Sequence, residues 1–483
     1  MAEKDTKHPK RDTDEESSVD TVYSVSGQIA KESGHEIQYR TCSWQKARRT
    51  AALLFSEYIC LAILSFPWSY SVLGMVPGVI LTIAVAATVQ YTSLIVWKFC
   101  LKHPEVRDVC DIGRILFGGS EWAYNFTAVM FILNNTFIQG LHCLVGAKLL
   151  NTLSNSALCT IGFSAITSIL CFVVSLPRTL NQLSGLGTFS AVTMGIAVLL
   201  AIIFSGIQSE PFDFIAGKPP IVTKFPVAGT TFVSGKNVGI FEHKLYSHRT
   251  NHHSFGSWFT VILFSKLILT KFIAEMKEPR DFPKALWAVT ICEVVVFTLC
   301  GAIMYHYVGN QYITAPAFGS LQPTYKKIAF SFAIPTIVYL GSLYSSVSAR
   351  FIFFRLFRNS RHKHSNTLVG WATWAAIIAV TWIMAFIIAE VIPFFSDMLS
   401  LMSSLFDGWF GFIYWGMAYL ILYPSEKRWN GPWRSFETLV NYFLIALGFF
   451  ILVGGTYVSI QSIIDSYNAS QVGGVFTCVS NAI

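Results

Sequence analysis

The chain reads as an all-α, multi-pass membrane protein, and three observations predict it. It is 53% hydrophobic and only 13% charged over 483 residues, against roughly a quarter charged in soluble domains. Its apolar residues fall into runs long enough to cross a bilayer, which takes about 20 residues per helix, and about eleven such runs can be counted. The basic residues sit in the gaps between runs, so the net charge of +8 reads as membrane topology rather than nucleic-acid binding.

Residues 1–45 are hydrophilic with no apolar core, a disordered tail rather than a signal peptide. The first span lies within AALLFSEYICLAILSFPWSYSVLGMVPG, Ala51 to Gly78. It carries Glu57, Pro67 and a Gly74/Pro77/Gly78 cluster, which predict a helix broken at membrane depth. Such a break survives only beside protein or a watery cavity, and transporters use it to hold solute near the midplane. A plain kink at Pro67, or a helix ending near Leu64, is the alternative.

Spans two to five follow at 79–101, 121–150, 157–177 and 187–207, with a short amphipathic piece around Ile112–Phe117 in the first loop. A polar segment, 208–255, precedes span six at 256–275. Spans seven to eleven read as 284–308, 327–349, 368–391, 396–422 and 436–464. The transmembrane domain is thus 46–464, with a tail at 465–483.

With the N-terminus cytoplasmic, Lys and Arg collect in the inside loops, at Lys102, Arg107, Arg114, Arg178, Lys277, Arg280, Lys284, Arg350 to Lys363 and Lys427 to Arg434. The sequon Asn468-Ala469-Ser470 then falls outside; Asn125-Phe126-Thr127 and Asn134-Asn135-Thr136 lie inside span three and are silent. Most cysteines stand singly in apolar runs, while Cys159 and Cys478 fall where an oxidising side is expected. An odd number of spans parses as two inverted five-helix halves plus one, with spans one and six as paired broken helices.

Two acids sit among apolar residues, Glu57 in span one and Glu293 in span seven. A charge at that depth costs roughly 2.5–3.5 kcal/mol, so each needs a partner or a task, and the task available is carrying a proton. A protonated structural acid beside a water-filled cleft is the plainer reading. Span three carries Asn134, Asn135, Thr136 and Gln139; span eight carries Ser342, Ser345 and Ser346 on one face, near Tyr339 and Tyr344. Such stripes line a cavity or join helices; the asparagines suggest a cavity, and the serines fit either. The histidines of 236–254 (His243, His248, His252, His253) match no zinc spacing. No metal, cofactor or soluble-enzyme motif is expected: no phosphate loop, G-x-S-x-G or H-E-x-x-H is present. A channel lacks a filter-like repeat or ring of acids. A membrane acyltransferase would need a histidine–acid pair at a membrane face, which His306 does not supply.

Five stretches carry a resemblance: AILSFPWSYSVLGMVPGVI (62–80), KHPEVRDVCDIG (102–113), SLPRTLNQLSGLGTFS (175–190), FIAEMKEPRDFPKALWAVTICE (272–293) and YVGNQYITAPAFGSL (307–321). In these, residues 46–464 resemble the amino acid/auxin permease family of the amino acid/polyamine/organocation superfamily, especially fungal permeases for neutral and aromatic amino acids. The resemblance implies the leucine-transporter-type fold, a 5+5 inverted repeat plus one helix. It also implies amino acid symport with protons; no residue set specifies a sodium site. Substrate would bind on the backbone of Ile59, Cys60, Leu61, Ala62 and Ile63, lined by Asn134, Ser342 and Ser345, with Glu57 and Glu293 as coupling groups. The expected partners are the amino acid, protons and the bilayer, with no nucleic acid; the oligomeric state is open. Relatives occupy both plasma membrane and vacuole, and the plasma membrane is the expected location.

Two departures stand out. Ala62 replaces a usual glycine, leaving less room for a backbone approach. Residues 236–271 are unlike the family, and likeness resumes abruptly at Phe272. Either they have diverged, placing Lys266 and Lys271 in a span, or a splice boundary is misplaced and the product inactive. A sensor on the same fold would be favoured by a large signalling tail; residues 1–45 are short for one.

Overall fold

Long apolar runs in lipid must satisfy every backbone group internally, and the chain does so with helices. In the computed structural model the described residues are 57, 60–106, 108–178, 180–225, 279–358, 360, 362, 367–468 and 474–483. Among them no strand occurs. Eight helices of at least 18 residues are apolar enough to cross a membrane, and two shorter ones, Leu61–Leu73 and Thr160–Ser175, supply spans one and four. The long helices are Met75–Lys102 (span two), Glu121–Ser154 (three), Phe282–Tyr312 (seven), Ile334–Leu356 (eight), Leu368–Val391 (nine), Phe395–Leu422 (ten) and Pro432–Asn468 (eleven), with Leu180–Ile207 as span five. Span six, the histidine segment and the whole of 236–271 lie outside the described residues, as does the tail 1–45.

Span one is broken, and the break sits upstream of the proline. Cys60 is extended (φ −109°, ψ 178°), and a tight 3₁₀ turn, Leu61–Ser65, follows it. The α-helix Phe66–Leu73 then starts with Pro67 in its first turn. A first-turn proline lacks only an N–H that would have had no intrahelical partner, so it launches the helix rather than kinking it. Gly74 closes the segment at φ +85°. A Cβ there would lie 2.8 Å from the backbone carbon of Phe225, so only glycine fits the turn.

Span eight also departs from expectation. The run 327–349 divides into a short helix, Pro323–Ser331, and the span proper, Ile334–Leu356. Pro335 occupies the first turn of the second helix and again marks a start. Span seven loses helical geometry at Gly309 (φ +73°), next to the expected end at 308.

The basic loops gather at one end of the bundle. Lys102 at the end of span two donates to the Leu422 carbonyl at the end of span ten. Arg355 at the end of span eight lies over Tyr124 of span three, and Arg178 over Phe353 and Trp371. The other end carries residues 219–225, whose Thr223 and Lys224 carbonyls accept from the amides of Met75 and Val76. It also carries the disulfide Cys159–Cys478, which joins the two cysteines expected on an oxidising side.

Spans three, four, eight and nine form a hydrogen-bonded scaffold. Asn135 Nδ2 donates to Ser348 Oγ at 2.9 Å, Ser342 Oγ to the Cys171 carbonyl at 3.0 Å, and Ser346 Oγ to the Ser175 carbonyl at 3.4 Å. Ser345 and Thr381 share a hydroxyl contact at 3.1 Å, and Trp382 Nε1 donates to Ser175 Oγ at 3.2 Å. Spans ten and eleven cross on glycines, with a Gly448 Cβ position only 2.7 Å from the Gly408 carbonyl oxygen. Ser462 and Ser466 of span eleven donate to the buried Asp397 carboxylate of span ten. Outward-facing residues such as Ile80, Ile169, Leu199, Ile383 and Phe443 are exposed and apolar, a lipid-facing surface.

Candidate functional site

The site is built around the break in span one. An extended residue just before a helical turn leaves the turn's first amides without intrahelical partners. Ile63 N–H returns to the Cys60 carbonyl at 3.2 Å. The Ala62 carbonyl accepts from Ser65 Oγ at 2.7 Å, and the Ile63 carbonyl from Cys300 Sγ of span seven at 3.9 Å. Leu61 through Ser65 are all buried, Ala62 at 2% exposure. Of the backbone site expected at Ile59–Ile63, Ile59 lies outside the described residues. The remaining four form the break itself.

Three neighbouring helices converge here. Tyr339 and Leu340 of span eight form a small buried cluster, and Cys60, Leu343, Val174 of span four and Leu186 of span five pack against it. Three residues before Cys60, Glu57 is buried, and Tyr344 Oη of span eight donates to its Oε1 at 2.8 Å. The other oxygen, Oε2, has no hydrogen-bond partner among the described residues. Glu293 of span seven is buried, and both Glu57 and Glu293 lie close enough to Cys60 to act on it electrostatically. The two acids singled out in the sequence are therefore both neighbours of Cys60.

Asn134 is fully buried in the middle of span three; its Nδ2 donates to Asn135 Oδ1 at 3.3 Å, and its own Oδ1 has no partner among the described residues. A buried acceptor without a donor suits a site that a ligand completes. Ser342 and Ser345, expected to line the site, both bond to neighbouring spans. Ser342 Oγ donates to the Cys171 carbonyl of span four, and Ser345 Oγ lies 3.1 Å from Thr381 Oγ1 of span nine. The side of span eight that faces the break presents Tyr344.

His142 escaped the sequence reading. It extends the Asn135–Gln139 stripe by one more turn, is buried, and bonds the Ile138 carbonyl through Nδ1 at 2.8 Å. Its heptad spacing from Asn135 was the available signal. Among the described residues no cluster of histidine, cysteine and acids has the makings of a metal site.

An unwound turn within the helix bundle, with buried carboxylates near it and a hydrogen-bonded four-helix scaffold beside it, is the arrangement that membrane transporters use. The family model described as transmembrane amino acid transporter protein matches residues 44–461, and the chain belongs to that family. It is 30% identical over 433 residues to the N amino acid transport system protein of Neurospora crassa, covering 89% of this chain and 87% of that one. It is 26% identical to a transmembrane transporter of Gibberella moniliformis, covering 96% and 93%. Among solved structures, a Na+-coupled sialic acid symporter superposes with a TM-score of 0.51 at 11% identity, over 92% of this chain and 95% of that chain. That likeness carries the leucine-transporter-type fold and nothing about the cargo.

Proposed function

We propose that the chain is a proton-coupled symporter that imports neutral and aromatic amino acids across the plasma membrane. The observation that carries this reading is the placement of the unwound turn Cys60–Ile63 three residues after the buried Glu57. Amides without intrahelical partners at the start of such a turn suit an amino acid carboxylate, and its carbonyls suit the ammonium group. The walls offered by Tyr339, Leu340 and Leu343 are apolar or aromatic, which favours an uncharged side chain. The name of the Neurospora relative supports an amino acid as cargo.

Proton coupling rests on Glu57 and, second to it, on Glu293. Moving an ionised carboxylate within the bilayer costs roughly 2.5–3.5 kcal/mol on insertion scales, and a proton removes that charge. A first span able to shift only with its acid protonated and its turn occupied by substrate would bind the two movements into one. Tyr344 holds Glu57 against the scaffold through the intervening hydrogen bond, so span one and span eight are the pair whose relation changes with the proton. Asn134 is the remaining polar group proposed to meet substrate.

The test is uptake of radiolabelled leucine and phenylalanine into vesicles of purified protein. We expect accumulation under an acid-outside gradient and none under a sodium gradient at uniform pH. Accumulation driven by sodium alone would overturn proton coupling; no uptake of any neutral amino acid under either gradient would overturn the transport reading.

A further inference from the structure

The segment after span eleven returns across the bundle end opposite the basic loops. Cys478 is bonded to Cys159, between spans three and four. Thr160 Oγ1 donates to the Val479 carbonyl at 2.8 Å, Asn151 Nδ2 to Asn481 Oδ1 at 2.8 Å, and Ile483 N–H to Thr152 Oγ1 at 3.2 Å. The Phe476 ring stands 6.2 Å from Phe386 of span nine. Ile483 then reaches the loop between spans seven and eight, where its Cβ lies 3.5 Å from the position a Cβ would take on Gly319. That loop holds the 3₁₀ turn Ala317–Ser320, buried throughout, and the turn packs directly on Leu61–Ser65 and Phe66–Leu73 of the broken helix. A continuous path of contacts runs from the disulfide to the candidate site.

We propose that residues 474–483 are a redox-sensitive clasp, locked by Cys159–Cys478, that holds the 313–322 loop down on the broken first helix. The proposal concerns control of the site and does not depend on which solute it carries. The hydrogen bonds of the strand compete with water at the surface. The disulfide keeps their partners at high effective concentration, so they form together. Opening it requires an external small thiol: a thiolate attacks one sulfur, a mixed disulfide forms, and a second thiol resolves it. The S–S bond is replaced by two S–H bonds, and two thiol molecules leave as their own disulfide. The end concerned lies opposite the Lys- and Arg-rich loops, the side on which disulfides persist. Released, the strand no longer presses on Gly319, and the population moves toward states in which the loop lifts from Leu61–Ser65.

The experiment uses the full chain in vesicles, treated on the outside with a membrane-impermeant phosphine, with hydrogen exchange, initial amino acid uptake and thiol titration read together. Reduction is expected to expose two new thiols, to speed amide exchange of residues 61–65 and 313–322 about tenfold, and to change initial uptake at least about twofold. Cys159→Ser with Cys478→Ser should show the faster exchange without reductant and no further response to it. Should that double variant fail to fold, reduction of the folded wild type remains decisive. Two new thiols with unchanged exchange in both segments would overturn the clasp, and so would Cys159 and Cys478 already free before reduction.

Discussion

Tyr344 and Glu57 join the first and eighth spans through one buried hydrogen bond of 2.8 Å, the phenol donating to the carboxyl oxygen. It is a direct polar link between the first span and the scaffold, and Glu57 stands three residues before the extended backbone of Cys60. The position makes both residues the first to alter.

Glu57→Gln keeps the shape and the hydrogen-bond acceptor but cannot carry a proton. We expect it to lose pH-gradient-driven uptake in a host lacking its own permeases, while exchange of substrate between the two sides persists. Uptake equal to wild type and still abolished by a protonophore would remove Glu57 as the coupling group.

Tyr344→Phe deletes a donor to an acid that has no other described hydrogen-bond partner. Hydrogen bonds to charged groups contribute about 1.5–3 kcal/mol, so uptake should fall by roughly tenfold or more. Glu57→Gln combined with Tyr344→Phe should fall no further than the worse single variant, because the two act as a unit. Additive losses would show that they act separately.

Asn134→Ala and Ser342→Ala separate lining from helix contact. Losing an acceptor that meets substrate should raise KM about tenfold, the equivalent of roughly 1.4 kcal/mol. Ser342→Ala and Ser345→Ala should leave KM within about twofold and cost about 0.6 kcal/mol of stability each, the average for interhelical hydrogen bonds in a membrane. A large KM change at either serine with unaltered melting would restore it to the site.

Gly448→Leu is predicted to disrupt the crossing of spans ten and eleven. The Gly408 carbonyl oxygen lies 2.7 Å from the Gly448 Cβ position, and a backbone carbonyl has no rotamer with which to move aside. Overpacking costs typically 1–3 kcal/mol or more, which a lowered melting temperature in detergent would report. A Leu variant as stable as wild type would mean the helices separate freely there.

Lys326 gives a pH-dependent test outside the spans. It is buried in the short helix before span eight, its ammonium 3.8 Å from the Phe212 ring centroid. Burial pushes it down from 10.5 to about 8, against the opposing pull of Asp213. The unfolded chain therefore binds that proton more tightly, and this residue's contribution to stability rises with pH between about 8 and 10.5. The melting temperature of wild type minus that of Lys326→Met should climb across that window; a difference that falls would reverse the assignment.

The spans were legible because hydrocarbon thickness imposes length on them, and most of the expected segments appear close to their reading, with span eight starting at Ile334 rather than 327. Glu57 and Glu293 were legible for the same reason, since an acid in an apolar run stands out. What a periodic stripe does not encode is its neighbour. Ser342 and Ser345 share a face by spacing, but only the packing of spans four and nine reveals what that face meets. Pro67 was read as a possible break when it starts a helix; the local cause lies in Cys60, whose extended backbone no residue preference announces. Cys159 and Cys478 stand 319 residues apart, and pairing at that range depends on tertiary structure alone.

Residues 219–225 are gripped at two points, at Gly74 beside Phe225 and at Gly309 beside Ile221, both glycines at positive φ and too close for a side chain. Gly74 joins spans one and two, and Gly309 lies in span seven, so residues 219–225 act as a strut that ties the first half of the bundle to the second at this end. A side chain introduced at either glycine would unseat the strut and loosen both attachments together.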